Sequence, residues 1–289
     1  VSRPAAPRRF GAWEILEEEE IAGGGLDALA RDAQGREVRL WVGRPGSGAK
    51  DAAAIAPAGA AAALAKVYHA SLPRVSTSSV VEDRAVLAVA AYRGRTLEAR
   101  LRGGPLPVPE AMDVARTVAA GLVKAHRAGV THGAVSAREI LLADDGRTLL
   151  LHAGLGPFLG PREPRAPEDP ADGPRGETSD VFGLSRVLLE SLLGRDPVPA
   201  GGGLPPDALP PEWPEGLRRF LARSVAADPG RRIHRAEEFA GDLAVIRASW
   251  DATAAPVPPR PAGADRRVVL AAGLAAIVAA AAAMRSCGP

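Results

Sequence analysis

The chain has 289 residues, enough for one large domain or two small ones with a core of normal size. An apolar fraction of 46% and a charged fraction of 24% are those of a folded globular protein and exclude a collagen-like or wholly disordered chain. A formal net charge of +2 argues against a nucleic-acid partner held by bulk charge, and the single cysteine, Cys287, excludes an internal disulfide framework and a thiolate zinc site.

Residues 1–9 are rich in Arg and Pro and are expected as a flexible end. No apolar run follows their charges, so they do not read as a signal peptide. Residues 10–101 read mostly as strands. Glu14–Ile21 and Val38–Val42 have strand character, and Asp32–Arg36 supplies a hairpin turn. Asp51–Lys66 is Ala-rich and helix-prone, interrupted by Pro57 and Gly59. Glu82-Asp83-Arg84 sits between Val80–Val81 and Ala85–Ala91 as a tight hairpin. The run Glu17–Glu20 reads as a solvated strand edge.

Residues 109–247 change character. Pro109–Gly129 is an amphipathic helix, with Pro at its start and Gly at its end. Ile140–Leu142 and Leu149–Leu151 flank Asp144-Asp145-Gly146, a second hairpin. Pro157–Gly176 shows little periodicity. Ser179–Leu193 reads as a buried helix, because Val181, Phe182, Leu184, Val187, Leu188 and Leu192 cover much of its surface. Leu217–Ala226 and Ala236–Trp250 read as two more. Arg218, Arg219 and Arg223 read as a solvated face. His69, His132, His152 and His234 have no metal-ligand spacing, so no metal site is expected. His126 reads as a dipole partner at its helix C-terminus.

Residues 251–267 form a Pro/Ala-rich linker. Val268–Met284 then runs seventeen residues without a charge. As a helix it would span ~26 Å at ~1.5 Å per residue, against a hydrocarbon core of ~30 Å. Arg266, Arg267 and Arg285 can snorkel outward and extend its reach. The expectation is a single membrane span, followed by the short tail 285–289. Excess arginine on the N-terminal flank sets the large domain on the cytoplasmic side of a cell membrane.

The segment Thr131–Gly154, THGAVSAREILLADDGRTLLLHAG, resembles the catalytic and metal-binding segments of eukaryotic-type protein kinases, in which HRDLxxxN is followed by a hairpin and DFG. His132 stands at the His of HRD, and His152-Ala153-Gly154 stands at DFG. Ala166-Pro167-Glu168 resembles APE. Ser179-Asp180-Val181-Phe182 resembles the start of that family's long buried helix. Leu193–Pro197 and Asp228–Arg232 resemble two later family motifs, and His69–Val75 resembles the turn after the small-lobe helix. The resemblance implies an α+β, two-lobed kinase-like fold. Its small lobe spans 10–101 and its large lobe 102–250.

The same resemblance locates the family's chemistry, and most of it is replaced. Phosphoryl transfer uses a strand lysine paired with a helix glutamate, a catalytic Asp, and metal held by an Asn and the DFG Asp. Here Trp41 stands at the lysine, Ala60 at the glutamate and Ala134 at the catalytic Asp. Ser136 stands at the catalytic-loop lysine, Glu139 at the Asn, and His152 at the DFG Asp. The glycine loop is reduced to Gly23, Gly24 and Gly25, of which only the last matches GxGxxG. The three lysines of the chain, Lys50, Lys66 and Lys124, are the only candidates for a substitute. Positions that serve the family's fold remain: His132, Gly154, Asp180, and Glu168 with Arg232, which the resemblance makes a buried ion pair.

The expected function is therefore a membrane-tethered, catalytically inactive kinase-like signalling or scaffold module. It would have no cofactor and a protein partner, an active kinase or its substrate being the candidates. The alternative is a divergent ATP- and Mg-dependent Ser/Thr kinase with residual activity. A third reading is a cleft that binds nucleotide without catalysis.

Overall fold

In the computed structural model, residues 8–21, 24–46, 63–154, 165–169 and 175–253 are described. The chain divides at Trp250 into two units, and every element below except the last turn of the final helix lies in the first. The first 90 residues build an antiparallel sheet from β1 (Arg9–Phe10), β2 (Trp13–Ile21), β3 (Gly25–Arg31), β4 (Glu37–Val42), β5 (Val75–Val81) and β6 (Arg84–Ala90). The strand order is β1-β2-β3-β4-β6-β5.

Alternation along these strands sorts the two faces. Ala28, Ala30, Leu40, Val42, Val86 and Ala88 form a small outer core closed by Phe10. Asp27, Trp41 and Leu87 fall on the opposite face, with Asp27 paired to Trp41 and Trp41 to Leu87 in register. The hairpins form where the sequence signals them. Asp32 Oδ1 accepts from the N–H groups of Gln34 and Arg36, both at 2.9 Å. Glu82 and Asp83 take left-handed φ of 50° and 60°, as a two-residue primed turn requires. Strand β5 is longer than its legible end at Val80–Val81. Its Ser and Thr residues are solvent-exposed, so the strand carries no apolar alternation to read.

The second half contains α1 (Leu97–Leu101), α2 (Val108–Arg127), α3 (Glu177–Leu193), α4 (Glu215–Ser224) and α5 (Ala236–Thr253). A small sheet of β7 (Gly94–Thr96), β8 (Ile140–Ala143) and β9 (Thr148–Leu150) accompanies them. The short helix α1 has no periodicity to announce it. It is set by Thr96, whose Oγ1 accepts from the N–H of Ala99 at 3.1 Å. Helix α2 buries Met112, Ala115, Val118, Ala119 and Leu122 along one stripe. Helix α3 begins two residues before its expected start and is buried on most sides. It ends at Gly194, whose φ of 70° closes the helix and brings its N–H to the Glu190 carbonyl at 2.8 Å.

One contact of α3 positions the site. A Cβ placed on Gly183 would lie 2.6 Å from the Val135 carbonyl oxygen. The glycine lets the helix backbone pass directly beneath the loop that follows His132.

Most of the expected helix Asp51–Lys66, most of Pro157–Gly176, the linker after Thr253 and the span Val268–Met284 lie outside the described residues, as do Ala60, Gly23 and Cys287. No helix among the described residues is long and apolar enough to cross a membrane.

Candidate functional site

The loop after α2 is organised by a single carboxylate. Asp180, fully buried near the start of α3, accepts from the backbone N–H of His132 at 2.8 Å and of Gly133 at 2.6 Å. Its Oδ2 also meets His126 Nε2 at 2.8 Å. A buried charge needs this kind of compensation. His126 is therefore tied to Asp180 across the core rather than serving its own helix end, because α2 turns that face inward.

His132 continues the chain of contacts. Its Nδ1 accepts from the N–H of Ala134 at 3.2 Å, and its Nε2 donates to the Leu151 carbonyl at 2.7 Å. That pairing sets the Nε2–H tautomer. It also locks the His132 loop to the residue preceding His152. Ala134 is buried and presents a methyl group where the resembling family has its catalytic Asp. Ser136 caps the turn Ala137–Glu139, with its carbonyl accepting from the N–H of Glu139 at 3.0 Å.

Glu139 and His152 meet. Glu139 Oε2 lies 2.5 Å from His152 Nδ1, and both residues are almost wholly buried. On the other side of the ring, His152 Nε2 lies 3.1 Å from Oδ2 of Asp27, which projects from β3. Asp27 gathers two further donors. Arg39 Nε reaches its Oδ1 at 2.5 Å, and the Tyr92 hydroxyl donates to its Oδ2 at 2.8 Å. Tyr92 in turn accepts from the indole N–H of Trp41 at 2.8 Å. The Trp41 ring stands 5.1 Å from the His152 ring, tilted by 56°, and the Arg39 guanidinium lies 5.1 Å from the centre of the Tyr92 ring.

The electrostatics follow from this geometry. Burial alone would lower the His152 pKa, but the Glu139 carboxylate and the Asp27 hydrogen bond outweigh it and raise it to about 9. Burial would raise the Asp27 carboxyl, but the bonds and charges of His152, Arg39 and Tyr92 bring it below its usual value. Burial, and then the Asp27 charge, push the Tyr92 phenol well above its ordinary value. The described members of the cluster thus include two carboxylates, one guanidinium and one imidazolium. His152 reaches this position with a left-handed φ of 57°, uncommon outside glycine and enriched for His among other residues.

The donor set does not fit a magnesium–nucleotide complex. A hard cation needs several free oxygen ligands, and the carboxylates nearest the DFG position face the two nitrogens of an imidazolium instead. No group of three or more metal-binding side chains is arranged to hold an ion among the described residues. In the motif GxGxxGxV the residue two beyond the last glycine is Val; here it is Asp27. Glu19 lies opposite it in register on β2. Gly24 and Gly25 do form the β2–β3 connection, and the Gly24 carbonyl accepts from Arg84 Nη2 at 2.8 Å.

Three of the residues singled out in the sequence, Trp41, Glu139 and His152, converge in one buried cluster. Ala134 and Ser136 lie on the loop that leads into it. Trp41 stands at the position where the resemblance puts the strand lysine. It is buried in the inner face of the sheet and tethered to Tyr92. One oxygen of the Glu139 carboxylate, Oε2, is bonded to His152. Sequence reasoning misses Asp27, Arg39 and Tyr92. The one signal available is an acid inside the otherwise apolar strand GLDALAR. Away from the cluster, Arg232 Nη1 donates to Glu168 at 2.7 Å, and the buried guanidinium lies 4.6 Å from the centre of the Phe182 ring.

No protein-family model matches the chain. It is 28% identical over 215 residues to the serine/threonine-protein kinase PknL of Mycobacterium tuberculosis, covering 64% of this chain and 53% of that protein. It is 27% identical over 181 residues to the serine/threonine-protein kinase PknA of the same species, covering 55% of this chain and 41% of PknA. The chain thus spans about half the length of the curated relatives it matches, or less. In three dimensions it resembles crystal structures of the Mycobacterium tuberculosis PknI kinase domain. One mutant form of that domain superposes with a TM-score of 0.72 at 21% identity, over 85% of this chain and 99% of that one. A second PknI kinase-domain structure gives 0.71, also at 21% identity, over 84% of this chain and 100% of that one.

Proposed function

From the premise that this chain is a bacterial member of the eukaryotic-type Ser/Thr protein kinase family, we propose that it is a non-catalytic member, a signalling or scaffold module that works by binding another protein. The observation that carries this reading is the His152 ring held between Asp27 and Glu139. Trp41, Glu139 and His152, three positions at which a kinase holds metal or phosphate, are each bonded to another side chain of the fold. Trp41 offers an indole N–H to Tyr92 instead of a cation to phosphate. Ala134 has no lone pair to take the proton of a substrate hydroxyl. Asp27 and Glu139 spend their charge on a side chain of the same protein.

The partner in this reading is a protein, an active kinase or its substrate. A membrane tether through Val268–Met284 belongs to the same proposal and rests on the uncharged run of the sequence. Its test is extraction of the full chain from membranes by detergent but not by carbonate.

The rival reading is a divergent kinase with residual activity, and its support is the similarity to PknL and PknA. Radiolabel transfer from ATP with magnesium or manganese separates the two. Transfer that disappears in an Asp27→Ala, Glu139→Ala double variant would sink the non-catalytic reading.

A further inference from the structure

Resting on the reading that the cleft performs no phosphoryl transfer, we infer that the His152 imidazolium is a resident cation that holds the two lobes closed, in the place where metal and nucleotide would bridge them. The two carboxylates on its ring come from opposite lobes. Asp27 belongs to the six-stranded sheet, whereas Glu139 and His152 flank the β8–β9 hairpin of the helical lobe. A neutral imidazole has one N–H to donate. Two carboxylates, one on each nitrogen, therefore call for the doubly protonated ring.

Among the described residues, the groups that face His152 come from several elements. Asp27 comes from β3, Arg39 and Trp41 from β4, Tyr92 from the segment after β6, and Glu139 from the turn before β8. Asp27, Glu139 and His152 are each at most 4% exposed, so little water competes for their bonds. Arg39 supplies a second positive charge beside Asp27. In the resembling family the positions of Glu139 and His152 hold the magnesium ions that bridge the phosphates of the nucleotide. Here the cation is part of the chain, so closure needs no ligand.

The test is amide hydrogen exchange on the full chain, comparing wild type with His152→Gly. Glycine accepts the left-handed φ at this position without penalty and leaves a ring-sized space. Exchange is expected to accelerate by about tenfold or more in residues 25–31 and 137–143 together. Added imidazole should restore both segments, and pyrazole, of the same size but uncharged, should not. Acceleration in one segment alone, no acceleration, or equal rescue by pyrazole would overturn the inference. If the glycine variant does not fold, Asp27→Asn and Glu139→Gln replace it, and each must loosen both segments. Loosening confined to the variant's own segment then overturns it. A transfer assay on the same wild-type sample keeps the two ideas apart. Phosphate transfer would sink the non-catalytic reading, and uncoupled exchange would sink the lobe closure.

Discussion

Asp27 and His152 are 125 positions apart in the chain and 3.1 Å apart in the fold. Their bond joins a strand of the six-stranded sheet to the segment after β9. Removing the anion leaves both Arg39 and His152 short of a buried partner. Asp27→Asn is expected to cost about 3 kcal/mol of stability. Urea unfolding measures it, and a loss below about 1 kcal/mol would show that the pair carries little energy.

The His152 charge makes stability depend on alkaline pH. Its folded pKa of about 9 lies above the unfolded value of 6.5. The stabilisation is therefore complete below pH 6.5 and is lost as pH rises through about 9. The full contribution is about 3 kcal/mol. Unfolding curves at pH 6.5 and pH 9.5 should differ by that order, and His152→Asn should flatten the difference. Asp27 acts in the opposite sense: with its pKa lowered, its contribution is present above pH 3.8 and fades as the solution is made more acid.

Much of this architecture is legible in the sequence. The turn residues at Asp32–Arg36 and Glu82–Asp83 and the apolar stripes of α2 and α3 announce their elements because each is decided by neighbours along the chain. The central cluster is not legible in that way. Trp41, Glu139 and His152 stand out only as departures from a resemblance, and nothing local says that they meet. Asp27 and Tyr92 answer to no periodicity, since their partners are fixed by how the lobes pack. Strand β5 is legible only at Val80–Val81 because its solvent-facing Ser and Thr side chains have no apolar partner to reveal.

The anchoring of the His132 loop offers a structural control. Asp180→Ala removes the acceptor for the N–H groups of His132 and Gly133 and for His126. A loss of about 3 kcal/mol or more is expected, since several buried donors are orphaned at once. Gly183→Ala should cost about 1–3 kcal/mol by forcing α3 away from the Val135 carbonyl. Thermal unfolding of both variants checks the pair, and a neutral Gly183→Ala would mean the helix and loop have room to part.

The ion pair of Glu168 and Arg232 tests the helical lobe alone. Arg232 is buried, but Glu168 is about one-third exposed, so solvent screens the pair in part. Glu168→Gln should cost about 2 kcal/mol without altering exchange in β3. A change in β3 as large as that caused by His152→Gly would contradict the separate roles given to the two sites.

The most direct test of a cleft filled by its own side chains is nucleotide binding by the full chain, read as thermal shift and calorimetry with ATP, in the presence and absence of magnesium or manganese. The account predicts no heat of binding and a melting temperature unchanged to within about 1 °C. A metal-dependent rise of about 5 °C or more at saturating ATP would contradict it, because Glu139 would then have to release His152 to hold the ion.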